Sequence, residues 1–166
     1  MKIINDYDLI GKVSFVSIES QSELADTYRY MTTKSGIFTL TALYEPFGLA
    51  PIEAMSTGLP AVVTKYGGPS DVLKENDEVY GVLIDVKDLD DISKGLLEAF
   101  SRYDFYQKQG ILRVFSKYTW AQTAKKYLDE MNLAIDPSKD AKIPKYFYTK
   151  KKTDLNKDYI IDKYLK

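Results

Sequence analysis

Neither cysteine nor histidine occurs among the 166 residues of this chain, and the two absences narrow its chemistry before any motif is read. Without cysteine there are no disulfides and no thiolate metal site. Without histidine there is neither imidazole catalysis nor zinc held by imidazole, so a metal ion would have carboxylates alone to bind; no metal and no cofactor is expected. No apolar run approaches the ~18 residues that a bilayer span needs. There is no secretory signal either, and the expectation is a cytoplasmic protein with no membrane partner. The length suits one domain and is sufficient to bury a core.

A charge excess of one sign is lacking too, since the formal net charge is −1. The signs are unevenly placed, with nine lysines against four aspartates in residues 139–166. That basic tail contains no arginine and no recognised nucleic-acid motif. A solvated helix face or a partner surface is therefore expected there, and no nucleic acid.

What is present reads as strands alternating with helices. Val13 to Ile18 alternates and is rich in β-branched residues, which predicts a strand. Leu24, Tyr28 and Met31 recur at helical spacing after Ser20 or Ser22, either of which suits an N-cap. Ile37 to Leu40 and Ala61 to Thr64 are short apolar runs, each followed by glycine-containing turns and a helix, as in buried parallel strands. Val82 to Val86 predicts a fourth strand, and Asp88 to Phe100 an amphipathic helix with Leu89, Ile92, Leu96 and Phe100 on one face. Asp90 and Asp91 are most simply charges at its start. Two more helices are expected at 103–116 and 119–132, and Trp120 reads as a core residue. Residues 133–152 read as a linker and 153–166 as a last helix of marginal length. The predicted class is α/β, a Rossmann-like parallel sheet flanked by helices.

The most informative stretch is Tyr44 to Gly68, Y-E-P-F-G-L-A-P-I-E-A-M-S-T-G-L-P-A-V-V-T-K-Y-G-G. Pro51 lacks an N–H and is tolerated only in a first helical turn, so a helix must begin within about one turn of it. Glu45 then lies in the loop and Glu53 just inside the helix. Free amides and the helix dipole at such a start seat an anion such as a diphosphate. Two carboxylates beside that seat would repel phosphates and suit sugar hydroxyls better. For Glu53 a plain alternative is electrostatic support of the helix start, worth ~0.3–1 kcal/mol. Thr57 and Gly58 suit a helix end, and Gly67-Gly68-Pro69 is accounted for by turn geometry before another helix.

This run resembles the Glu-seven-residues-Glu motif of retaining glycosyltransferases of the GT-B family, which have two Rossmann lobes and use nucleotide-sugar donors. Its wording is nearer still to the sucrose-phosphate synthases. Further likeness lies in E-L-A-D-T-Y-R-Y (23–30), G-G-P-S-D-V-L (67–73), Y-G-V-L-I-D (80–85), G-L-L-E-A-F (95–100) and Y-T-W-A-Q-T-A (118–124). A fainter echo is I-P-K-Y-F (143–147).

The resemblance implies a donor-binding C-terminal lobe, here residues 1–132, with 153–166 as a helix crossing back to the other lobe. It implies that Glu45, the catalytic candidate, hydrogen-bonds the donor hexose, and that the amides of Phe47, Gly48 and Leu49 approach the hexose and diphosphate. Glu53 would grip the ribose diol. The loop Glu19 to Ser22 would frame the base, but it offers backbone groups and no aromatic platform.

The implied reaction moves glucose from UDP-glucose to fructose 6-phosphate with retention at the anomeric carbon. Alternatives are a sucrose synthase, glycogen synthase or mannosyltransferase type of hexosyltransferase, or a non-catalytic nucleotide-sugar binding module. The family's donor lobe starts with a strand and helix carrying an Arg and a Lys, then a second strand, and this sequence shows no match to them. It shows none to the lobe that binds the sugar-phosphate acceptor either. In the order 3-2-1-4-5-6 the four predicted strands would be 3, 4, 5 and 6, which leaves Val13 to Ile18 without a covalent neighbour. It would pair with Ile37 to Leu40, with a complementing segment, or by exchange in a homo-oligomer.

Overall fold

In the computed structural model the described residues are 2–135. Chain contacts divide the protein into two units, Met1–Thr123 and Ala124–Lys166. Among the described residues the second unit contains only the continuation of the last helix, α7 (Trp120–Ile135). That helix runs past the expected boundary at 132. The rest of the expected linker and the whole of the 153–166 helix lie outside the described residues. No helix among the described residues is long and apolar enough to cross a membrane.

The first unit is built on a three-stranded parallel sheet, β1 (Phe38–Leu40), β2 (Ala61–Thr64) and β5 (Val82–Ile84), in the order β1-β2-β5. Its register pairs Phe38 with Ala61 and Val62 with Val82. β2 is central, and all four of its residues are buried, because parallel strands covered by helices on both faces read as unbroken apolar runs. Ala61 and Val63 join Met55, Val72, Leu73, Tyr80 and Val114 in one cluster, whereas Val62 joins Val82, Ile84, Ala99 and Tyr106 in another. The period-two alternation of one strand thus feeds two cores.

The helices around the sheet start where their sequence directs. α2 (Gln21–Thr33) is capped by Ser20, whose Oγ accepts from the Glu23 N–H at 3.1 Å, while the Glu23 carboxylate accepts from the Glu19 N–H at 2.9 Å. This is close to a capping box, displaced by one residue on its return bond. α5 (Leu89–Ser101) is capped by Asp88, which accepts from the amides of Asp90 and Asp91. Its buried stripe differs from the expected one. Gly95 and Ala99 are fully buried, with Ile92 and Leu96 packed beside them, whereas Leu89 and Phe100 are exposed. Small residues win these positions because the helix comes so close to the sheet that a Cβ on Gly95 would lie 2.4 Å from Cγ2 of Ile84. α6 (Tyr103–Lys117) completes the layer over the first core through Val114.

Two further expectations are corrected. Val13 to Ile18 forms no strand: the segment is unpaired, and Phe15 (83% exposed) and Val16 lie in solvent. Alternation supplies a face to bury but no partner for the backbone, and a strand exists only where a neighbour accepts its hydrogen bonds. Trp120 is 89% exposed and not a core residue. It opens α7, and Tyr118 two residues earlier takes the place against the core. Two elements had no counterpart in the sequence reading. They are the short helix α1 (Lys2–Asp6) and a hairpin of β3 (Lys74–Glu75) and β4 (Glu78–Val79), whose turn holds Asn76 at φ 54°.

Candidate functional site

All three strands of the sheet point their carboxyl ends toward one edge, the place where ligands bind in open α/β sheets. The loop 41–48 leaves β1 there, Lys65 to Gly68 leaves β2, and Asp85 follows β5. The structure ties these loops together. The Glu45 N–H donates to the Tyr66 carbonyl at 3.1 Å and the Gly68 N–H donates to the Glu45 carbonyl at 2.9 Å, so a one-residue parallel bridge joins Glu45 to Gly67. The contact leaves no room for a side chain. At Gly67, with φ 104°, a Cβ would lie 2.1 Å from the Glu45 carbonyl oxygen; at Gly68 it would lie 2.6 Å from that of Phe47. The glycine pair therefore does more than turn the chain. It seats the Glu45 loop, which the turn-geometry reading of the sequence left out.

Helix α3 (Leu49–Ser56) begins as Pro51 requires, with the proline at its third position and Gly48 before it at φ 83°. Gly48 has no side chain to cap the helix, and the Glu45 carboxylate stands in: Oε1 accepts from the N–H of Phe47 at 3.2 Å and of Gly48 at 3.1 Å. Glu45 is half-buried, Phe47 and Leu49 are exposed, and Gly48 is buried. Leu49, first in the helix, has no intrahelical acceptor for its N–H. The residues expected at the site thus do gather, with Glu45, Phe47, Gly48 and Leu49 in one loop. The carboxylate itself takes two of the amides that the resemblance assigns to a donor.

Glu53 lies one turn further along α3, about 6 Å of helix rise from Leu49, and faces a different space. It lines a cleft of ≈ 140 Å³ between α2 and α3, with Gln21, Leu24, Tyr28, Ser56 and Thr57. Burial first, and then the charge of Glu53, raise the Tyr28 hydroxyl pKa above its ordinary value. The cleft is held by the Thr32 hydroxyl, which donates to the Thr57 carbonyl at 3.1 Å. Thr57 and Gly58 end α3 as expected, with Gly58 N–H to Met55 and Leu59 N–H to Ala54 in the paired pattern of a helix stop. Gln21 lies in the loop that the resemblance assigns to the base, and the only sequence signal for Leu24 and Tyr28 is their helical spacing.

A third group sits on the same edge. Asp85 accepts from Tyr66 Oη at 2.9 Å and from the Lys87 N–H at 3.0 Å, and it pairs with Lys65 Nζ at 2.9 Å. Lys65, then the Lys87 amide and Tyr66, lower its pKa from 3.8 to about 2. The sign follows directly. A carboxyl with a depressed folded pKa stabilises the fold fully above the unfolded value of ~3.9, and the contribution is lost as pH falls through about 2. The stability gap between wild type and Asp85→Asn is therefore expected to be constant above about pH 5 and to close between pH 4 and 2 in acid-unfolding curves. A gap independent of pH over that range would show that the charge of Asp85 contributes nothing. Among the described residues no group of three or more carboxylates is gathered to hold a metal ion.

Fold and sequence together define the class. The sequence model described as "Glycosyl transferases group 1" matches residues 1–111. The chain belongs to this family and has the α/β architecture of its GT-B members. It is 37% identical over 133 residues to sucrose-phosphate synthase 1 of Arabidopsis thaliana, a match that covers 79% of this chain and 13% of that protein. To the probable sucrose-phosphate synthase of Thermosipho melanesiensis it is 40% identical over 119 residues, or 72% of this chain and 27% of that one. The solved sucrose-phosphate synthase from Thermosynechococcus elongatus superposes with a TM-score of 0.62 at 23% identity, over 79% of this chain and 33% of that chain. The chain thus spans well under half the length of these relatives.

Proposed function

We propose that this chain supplies the donor-binding part of a hexosyltransferase that moves glucose from UDP-glucose to fructose 6-phosphate, giving sucrose 6-phosphate. The observation that carries the reading is the loop at the carboxyl edge of the sheet, in which the Glu45 carboxylate and the N–H groups of Phe47 and Gly48 form one hydrogen-bonded unit at the start of α3. Donor binding is an exchange at this unit. The carboxylate turns to the hydroxyls of the hexose, and the released amides, with that of Leu49, face the hexose and the diphosphate. N–H groups at a helix start are suited to the charge that builds on a departing nucleotide diphosphate. Glu53 accepts from the ribose diol in the cleft between α2 and α3.

The sugar-phosphate acceptor is held by an N-terminal lobe outside these residues. In this reading residues 1–132 are the donor unit, 133–152 a linker and 153–166 a helix that crosses to the acceptor lobe, and the protein works in the cytoplasm. Relatives named as sucrose-phosphate synthases at 37% and 40% identity favour this acceptor over others.

The test is a titration of the isotope-labelled chain with UDP-glucose, followed by amide chemical shifts. Because no Arg–Lys clamp of the family pattern reads from this sequence, a dissociation constant no tighter than about 1 mM is expected, roughly 4 kcal/mol of binding. Shifts should concentrate on Phe47, Gly48, Leu49 and the residues around Glu53. Shifts centred elsewhere, or none at tens of millimolar, would remove the donor reading.

A further inference from the structure

The donor loop is not held by its own turn alone. α4 (Pro69–Leu73) follows the glycine pair directly, and at five residues it is too short to be stable unaided. Two of its carbonyls, left without helical partners, are held by one side chain from α6, while that of Leu73 accepts from the Tyr80 N–H. Arg113 donates from Nε to the Val72 carbonyl at 2.9 Å and from Nη2 to the Asp71 carbonyl at 2.8 Å. Nη1 meets the Glu75 carboxylate at 2.5 Å, and Lys117 bonds the other oxygen of Glu75. The guanidinium is 2% exposed and lies 4.5 Å from the Tyr80 ring centre. A buried cation is expensive to desolvate, and apolar residues of similar volume often serve stability as well, so what Arg113 contributes is position.

From that side chain hydrogen bonds lead residue by residue to the site. The peptide unit whose Asp71 carbonyl Arg113 holds donates its N–H, that of Val72, to the Gly68 carbonyl at 3.2 Å, and the Asp71 N–H donates to the same oxygen at 3.0 Å. Gly68 donates to the Glu45 carbonyl, and the Glu45 side chain accepts from Phe47 and Gly48. The Gly68 carbonyl and N–H belong to neighbouring peptide units, so Arg113 polarises only the peptides it touches, and its effect on Glu45 passes through the position in which the Gly68 backbone is held.

We propose that Arg113 is a positioning residue for the donor loop, acting through α4 and Gly68 to fix the Glu45 backbone. The proposal rests on the donor reading above. No shorter side chain reproduces the fork: lysine keeps the charge and its pairing with Glu75 but cannot span two successive carbonyls with fixed donors.

The experiment is site-resolved hydrogen exchange on the whole chain, in wild type, Arg113→Lys and Arg113→Met, with Ala99→Gly as a core change on the other face of the sheet. With Arg113→Lys, exchange at Glu45 and Gly68 should speed up about tenfold while β2 amides change less than about twofold. Ala99→Gly should instead raise all of them together. Arg113→Met should do at least as much as Arg113→Lys at Glu45 and Gly68, and should abolish the UDP-glucose shifts at Phe47 and Gly48. If Glu45 and Gly68 move only in proportion to β2 in both Arg113 variants, Arg113 is a core residue and the proposal falls. It falls equally if the loop loosens but the UDP-glucose shifts persist unchanged. Failure of the donor reading looks different: wild type gives no shifts at Phe47 or Gly48, although the exchange pattern of the relay is present.

Discussion

Gly67→Ala should unseat the Glu45 loop and lower the melting temperature by roughly 10–20 °C. The added Cβ would stand 2.1 Å from the carbonyl oxygen of Glu45 and 2.9 Å from its carbon, so the obstacle is backbone and no rotamer change relieves it. Alanine is also strained at φ 104°, at a cost of about 1–3 kcal/mol. The only escape is to separate the two loops, which breaks the Glu45–Tyr66 and Gly68–Glu45 hydrogen bonds, each worth about 1 kcal/mol net. Together these come to about 3–5 kcal/mol, a large share of the 5–15 kcal/mol that holds a typical domain. Gly68→Ala separates the causes. Its φ of −56° is outside the left-handed region, yet a Cβ there meets the carbonyl oxygens of Phe47 and Pro46 at 2.6 and 2.7 Å. It should avoid the left-handed strain of Gly67→Ala and cost less for that reason, and it should equally abolish UDP-glucose shifts at Phe47 and Gly48. Thermal unfolding of the two variants decides. A fall of less than about 2 °C for Gly67→Ala would mean that the loops are not in contact in solution.

The glycine pair also shows where the sequence stopped being legible. Local rules worked wherever one residue decides its own neighbourhood. Pro51 placed the start of α3, Ser20 and Asp88 capped their helices, and the apolar run Ala61 to Thr64 is β2 residue for residue. They failed where the partner is remote in sequence. Val13 to Ile18 has the pattern of a strand and no neighbour, and the space over Leu89 and Phe100 depends on how close α5 comes to β5.

The same division runs through the site. The E-P-F-G and glycine-pair signals could be seen, but not that residues 45 and 67 touch, nor that the carboxylate turns back onto the Phe47 and Gly48 amides. Arg113 gave no local sign of its role: in I-L-R-V-F it is a charge within a short apolar stretch, and its partners lie about forty residues away.

The largest effect on chemistry is expected from the two carboxylates, and the structure sharpens what each should do in a complete transferase that carries this lobe. Glu45→Gln keeps an oxygen that can still accept from Phe47 and Gly48, so the loop should stay folded, with a stability change below about 1 kcal/mol. In the proposed donor reading, what disappears is negative charge beside the hexose, where positive charge would build at the anomeric carbon as the nucleotide leaves. An electrostatic contribution of this kind is worth about 10²-fold in kcat, and because it acts mainly in the transition state the donor KM should move less than about threefold. Glu53 lines the cleft between α2 and α3, and in the same reading Glu53→Gln would touch a part of the donor that does not change during transfer. Losing a charge-assisted bond to the ribose diol should raise the donor KM about tenfold and leave kcat nearly unchanged. Glu45→Ala supplies the internal control, since it removes the acceptor oxygen as well as the charge and should add loosened Gly48 and Phe47 amides to the kinetic loss. Steady-state kinetics with melting curves on the three variants test the assignment. If Glu45→Gln and Glu53→Gln changed only the melting temperature, both residues would be supports of α3 and the donor would have to bind elsewhere.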